Sequence, residues 1–164
     1  MNNKLTPFVS IIIPTYNRAK LVGKALKSII DQTYKNWEVI VIDNHSTDDT
    51  DKIFKNFIDP RIRYFKIHNH GIIAKSRNFG IKMAKGEWIA FLDSDDWWTN
   101  DKLEVCFNNI NDNVDFIYHE LEIIDRKSKF LKRKKFSGRQ LEKPILKNLL
   151  VGVIKNGNAI GQSL

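Results

Sequence analysis

The chain has 164 residues, enough for one domain with a substantial core and too few for two comfortable ones. Its apolar fraction of 42% and charged fraction of 28% are those of a soluble globular protein, and no apolar stretch approaches the ~20 residues that span a bilayer. The net charge is +8, and Cys106 stands alone, so no disulfide framework is expected and a reducing cytoplasm is the default.

Phe8 to Ile13 is too short for a signal-peptide core and lacks a small-residue cleavage site. Val9 to Pro14 is instead a β-branched run suited to a strand buried on both faces. Asn17 can cap the helix that follows, whose apolar residues Leu21, Val22, Ala25, Leu26, Ile29 and Ile30 recur at helical spacing. Trp37 to Asp43 predicts a second buried strand, and Ser46 with Asp49 resembles a capping box before a helix carrying Ile53, Phe54 and Phe57. Arg61 to Ile67 alternates as a strand near an edge would. A helix from Ile73 to Lys85 is expected next, with Gly86 as its C-cap and Gly80 an unfavourable interior residue. Glu87 to Asp93 predicts a fourth buried strand, and Thr99 or Asn100 a cap for a helix bearing Leu103, Phe107 and Ile110. Beyond residue 110 the pattern blurs: DFIYHELEII reads as one or two strands and EKPILKNLLVGVI as a short helix.

Alternating strands and helices through residue 110 argue for βαβ units and a mostly parallel sheet with helices on both faces, within a single domain over 1–164. Ligands bind such sheets beyond the carboxyl ends of the strands. The polar residues expected there are Thr15, Tyr16 and Asn17, then Asp43 and Asn44, then the acidic group Asp93, Asp95 and Asp96. A helix cap needs one carboxylate, not three. Crowded carboxylates repel, and a hard divalent cation, Mg²⁺ or Mn²⁺, relieves that repulsion through oxygen ligands shared with a phosphate group. An aspartyl-phosphate phosphatase also places DxD after a strand, but it would want a hydroxyl or Gly-Thr where this chain has Asp96 and Trp97. The Walker A and GxGxxG glycines are absent, and an EF-hand loop is excluded by its missing Gly and Glu.

Residues 126 to 135, RKSKFLKRKK, hold seven basic residues and no acidic one. A solvated loop or hairpin edge is the plain reading. Contact with an anionic membrane at its cytoplasmic face, or with an acidic substrate, is the sharper one. Nucleic acid ranks last, since the stretch has one aromatic, Phe130, and no recognisable binding motif.

VSIIIPTYNR, VIDNHSTDDT and GIIAKSRNFGIKMAKGEWIAFLDSDD, in this order and spacing, resemble the family 2 glycosyltransferases. The resemblance covers about residues 8 to 110 and implies the GT-A fold, a Rossmann-like domain that moves a sugar from a nucleotide diphosphate donor with inversion. It implies a nucleotide-sugar and metal-binding half over 8–110 and the start of an acceptor-side half over 111–164. By motif, Thr15, Tyr16, Asn17 and Asp43 would hold the nucleoside, with Asp43 on the base. Arg77 would lie beside the nucleotide, Asp93 and Ser94 along the ribose, and Asp95, with Asp93, at the metal, Mn²⁺ or Mg²⁺. Asp96 could position the sugar or orient a metal-bound water, and Trp97 or Trp98 could stack on a sugar or pack on the core. The implied donor is a UDP-sugar, and the acceptor a bacterial polysaccharide or lipid-linked glycan.

His45 departs from the pattern, standing where the family has Gly in its DxGS turn. The larger departure is the general base. The last acidic residue is Glu142, no ED-type motif follows it, and the base is expected beyond Leu164. GNAIGQSL resembles the region just before the acceptor-side segment, so the chain reads as a family domain cut short. That reading exposes apolar surface around Leu149, Leu150, Val151 and Ile154 and so anticipates self-association. The alternative function is a truncated or degenerate nucleotide-sugar-binding module without transferase activity of its own.

Overall fold

The computed structural model describes residues 8–110, 114–117, 121–124, 132–135 and 158–160. Four strands and four helices alternate along the first part of the chain: β1 (Val9–Thr15), α1 (Ala19–Ile30), β2 (Trp37–Asp43), α2 (Thr50–Asn56), β3 (Ile62–Lys66), α3 (Ile73–Met83), β4 (Trp88–Phe91) and α4 (Lys102–Asn108). Short strands follow, β5 (Phe116–Ile117), β6 (Leu121–Ile124), β7 (Lys132–Lys135) and β8 (Asn158–Ile160). The main sheet has the order β3-β2-β1-β4-β8-β5, and every neighbouring pair in it is parallel. β6 and β7 form a separate antiparallel pair.

The β-branched runs form central strands because successive side chains serve opposite cores. Val9, Ile11 and Ile13 of β1 join Val39 and Val41 of β2 in a layer packed with Leu26 and Ile29 of α1, Phe54 of α2 and Leu103 of α4. Ile12, Ile40 and Ile42 point the other way and pack with Phe79 and Ile81 of α3. Helices therefore cover both faces, as the alternation requires. β3 lies at the sheet edge with only partial burial, as its alternating sequence anticipates.

Gly80 has a packing reason to interrupt α3. A β-carbon there would lie 2.6 Å from Cγ2 of Ile12 and 2.9 Å from Cδ1 of Ile42, so glycine lets the helix lie close on the sheet. At the amino-terminal edge, buried Glu38 accepts hydrogen bonds from Ser10 Oγ at 2.7 Å and Lys85 N at 2.7 Å. Its other oxygen pairs with Arg63 at 3.0 Å.

Four expected caps are corrected. Asn17 does not cap α1: it has φ +49°, and its Oδ1 accepts from Thr47 N at 2.8 Å. Ser46 does not open α2, which begins at Thr50; it folds back onto Asp43 instead. α3 ends at Met83, before Gly86, whose amide donates to Ser10 Oγ at 2.8 Å and whose missing side chain admits the Phe8 carbonyl. Asp101, not Thr99 or Asn100, precedes α4. The Thr99 and Asn100 carbonyls instead accept from Gln32 Nε2 at 2.6 Å and Thr33 N at 2.8 Å. For Asn17 and Gly86 the partner that takes the group is distant in sequence, 30 and 76 residues away.

DFIYHELEII contains two strands, β5 and β6, and the end of the basic stretch is β7. The helix expected over EKPILKNLLVGVI and the apolar group at Leu149, Leu150, Val151 and Ile154 lie outside the described residues.

Candidate functional site

Chain order reverses between β1 and β4. The chain runs outward from β1 through β2 to β3, then crosses to the other side of β1 for β4. A crevice at the carboxyl ends of the strands belongs at this switch point. Thr15 closes β1 directly opposite Asp43, the last residue of β2. Both are buried, and Thr15 Oγ1 has no hydrogen-bond partner among the described residues. Tyr16, the next residue, is 53% exposed.

Asp43 is fully buried and held by donors. Its Oδ1 accepts from Ser46 N at 3.0 Å and from the Ser46 hydroxyl, and its Oδ2 from the Tyr64 hydroxyl. A buried carboxylate needs such donors to offset lost hydration. The Tyr64 oxygen also lies 2.6 Å from Asp51 Oδ1, so its single hydroxyl proton is shared between the two carboxylates, one at a time, and Asp51 is bound by Lys66 Nζ at 2.6 Å. Burial, followed by these two carboxylates, pushes the Tyr64 phenol well above its ordinary value, so it remains a protonated donor. Ser46 Oγ in turn accepts from Asn17 N at 2.8 Å, which ties the turn after β1 to the turn after β2. Asp48 reinforces the tie by accepting from Ala19 N at 3.0 Å.

The acidic group follows β4 as a tight turn, with Asp96 N donating to the Asp93 carbonyl at 3.0 Å. Two arginines from other elements meet it. Arg77 of α3 donates from Nη2 to Asp93 Oδ1 at 2.9 Å, and its Nε is buried without a partner among the described residues. Arg18 approaches Asp95 at 3.9 Å, with both side chains about half exposed (50% and 48%). Ser94 is buried between these carboxylates in sequence. Trp98 packs in the core beside α4, whereas Trp97 is 40% exposed beneath Lys24, whose Nζ sits 3.0 Å from the ring centroid.

Among the described residues, no three His, Cys, Asp or Glu side chains are grouped to hold a metal by themselves. Asp93 and Asp95 offer two carboxylates one residue apart on an accessible turn. Such a donor set fits Mg²⁺ or Mn²⁺ arriving with a diphosphate, because these ions commonly take one or two protein carboxylates and complete their shell with phosphate oxygens and water.

The residues expected at the strand ends lie on this rim. Arg18 as a partner of Asp95, and Ser46 and Tyr64 as partners of Asp43, are not legible in the sequence. Only the TYNR arginine at the start of α1 offered a signal, a cation one residue past a strand-end turn.

Residues 10–162 match the sequence profile of glycosyl transferase family 2. The chain belongs to that family. A relative, the UDP-Glc:alpha-D-GlcNAc-diphosphoundecaprenol beta-1,3-glucosyltransferase WfgD of Escherichia coli, is 37% identical over 150 residues, covering 89% of this chain and 58% of that protein. A glycosyltransferase of Rickettsia felis is 43% identical over 127 residues, covering 75% of this chain and 21% of the relative. The chain thus spans between about a fifth and three fifths of these relatives' lengths. The crystal structure of S. aureus TarS 1-349 in complex with UDP-GlcNAc superposes with a TM-score of 0.67 at 30% identity, covering 73% of this chain and 36% of that one. The mannosyltransferase PcManGT of Pyrobaculum calidifontis, solved with GDP-Man and Mn²⁺, gives a TM-score of 0.58 at 29% identity over 66% of this chain and 34% of that one. This family 2 chain therefore has the GT-A fold.

Proposed function

We propose that this chain carries the donor site of an inverting glycosyltransferase that takes a UDP-sugar and passes the sugar to a polysaccharide or lipid-linked acceptor. The observation that carries the reading is the convergence of Thr15, Asp43, Arg77, Asp93 and Asp95 on one rim at the switch point between β1 and β4. Asp43, held as an acceptor by Ser46 and Tyr64, takes the imide N–H of the base. Thr15 Oγ1, buried and unpartnered among the described residues, bonds the nucleoside. Tyr16 and Asn17 border the nucleoside from the same turn. Asp93 and Ser94 run along the ribose. Arg77 fixes Asp93 and lends positive charge where the diphosphate lies. Arg18, 3.9 Å from Asp95, adds positive charge beside that carboxylate.

Mn²⁺ or Mg²⁺ held by Asp95 and Asp93 would neutralise negative charge accumulating on the departing diphosphate. Attack by the acceptor oxygen from the face opposite the diphosphate inverts the anomeric centre, and the diphosphate leaves with the bonding electron pair. We assign the base that takes the acceptor's proton to no described residue. The TarS complex with UDP-GlcNAc and the lipid-linked acceptor in the name of the E. coli relative support the donor and acceptor classes.

Among the described residues no helix is long and apolar enough to cross a membrane. Seven cations over residues 126 to 135, four of them in β7, support peripheral contact with an anionic leaflet, where a lipid-linked acceptor would reside.

Calorimetric titration of UDP, GDP and CDP with and without Mn²⁺ tests the donor site. Asp95→Ala should keep the fold and lose the metal dependence of UDP binding. Unchanged metal dependence would remove Asp95 from the site.

A further inference from the structure

The turn after β2 presents three side chains at 44 to 46, and two of them are engaged within the protein. Asn44 Oδ1 accepts from Asn69 N at 2.9 Å, and Ser46 is folded onto Asp43. His45 is the exposed one, and it holds φ +52°, a left-handed backbone that suits glycine better than histidine. An outlier of this kind at a site rim points toward a function for the side chain. Its ring is not loose: it stacks on His68, from the loop after β3, with centroids 3.7 Å apart and planes inclined by 12°. His68 is itself 6.3 Å from the ring of His70. The imidazole is therefore backed on one face and borne on a turn whose neighbours are fixed.

On the adjacent strand end stands exposed Tyr16, and Asn44 N donates to the Thr15 carbonyl at 3.0 Å, which holds the two ends side by side. Two aromatic rings thus occupy neighbouring strand ends at Asp43. We propose that His45, seated on His68, contacts the nucleobase of the bound nucleoside diphosphate and holds it against Asp43. The inference rests on the reading of Asp43 as the residue that binds the base. A stacked ring that merely clamped two loops together would have no bearing on whether the ligand carries a base.

The test compares UDP with inorganic pyrophosphate, each titrated in Mn²⁺, on wild type, His45→Gly, His45→Phe and His68→Ala. Glycine is at ease at φ +52°, so His45→Gly should keep the fold. It should bind UDP about tenfold more weakly, the effect of losing one base–aromatic contact. Pyrophosphate affinity should stay unchanged, His45→Phe should recover part of the UDP affinity, and His68→Ala should fall between. Unchanged UDP binding by His45→Gly, or equal losses for UDP and pyrophosphate, would overturn the inference while leaving the donor site standing. Wild type that binds pyrophosphate and UDP equally would overturn the base-binding reading of Asp43, and this inference with it.

Discussion

Gly80→Ala sets two ordinary effects against each other. In an open helix interior, the change would add about 1 kcal/mol of stability through helix propensity. In α3 the new β-carbon would lie 2.6 Å from Ile12 Cγ2, 3.1 Å from Ile12 Cγ1 and 2.9 Å from Ile42 Cδ1. Ile42 can turn its terminal methyl aside, but Cγ2 of Ile12 moves only with χ1, and Ile12 is fully buried in a central strand. Overpacking of this kind costs about 1–3 kcal/mol. The net expectation is a loss of about 1 kcal/mol, or ~2–4 °C in Tm for a domain of this size. Arg77 lies three residues earlier on the same helix face, so an α3 pushed off the sheet also draws the guanidinium away from Asp93. Thermal melts by circular dichroism and UDP titration on the same samples measure both consequences. A variant with raised Tm and unchanged UDP affinity would show that α3 does not lie as close to the sheet as described.

At the opposite edge of the sheet, Glu38→Ala removes the acceptor for Ser10, Lys85 N and Arg63, a buried pair whose breakage costs about 3–5 kcal/mol. Denaturant melts should show that loss, while UDP affinity of the folded fraction stays unchanged. Tyr64→Phe strips one donor from Asp43 and should weaken UDP several-fold in titration, with about 1–3 kcal/mol lost in denaturant melts. The Lys66 hydrogen bond, then that of Tyr64, holds the Asp51 carboxyl below the usual range, and the Arg61 hydrogen bond does the same for Asp59. Carboxyls lowered on folding stabilise above their unfolded value of about 3.9 and lose that contribution as pH falls through the lowered folded value. Tm should therefore hold through neutral pH and drop below about pH 4, less steeply in Asp51→Asn.

The core strands were legible in the sequence because burial on both faces leaves a continuous β-branched run, which local residues alone encode. Trp37–Asp43 is such a strand, and its bounds coincide with the expectation. The caps at Asn17 and Gly86 are not legible locally because the deciding partners are remote: Asn17 meets Thr47, and Gly86 meets Ser10. The rim was legible as strand-end polar residues, whereas Arg18, Ser46 and Tyr64 became visible only once the loops were brought together. β8 carried no signal of its own, since a three-residue strand inserted between β4 and β5 depends on partners far earlier in the chain.

The most direct measurement is a ¹H–¹⁵N NMR titration of the chain with UDP and Mg²⁺, followed by a trace of Mn²⁺ as a paramagnetic probe. Amide shifts are expected at Thr15 to Asn17, Asp43 to Ser46 and Arg77, with Mn²⁺ broadening centred on Asp93 to Asp96, and no change at Glu38, Arg63 or Gly86. Broadening centred away from the Asp93 turn, or shifts confined to the opposite edge of the sheet, would contradict the assignment of this rim as the donor site.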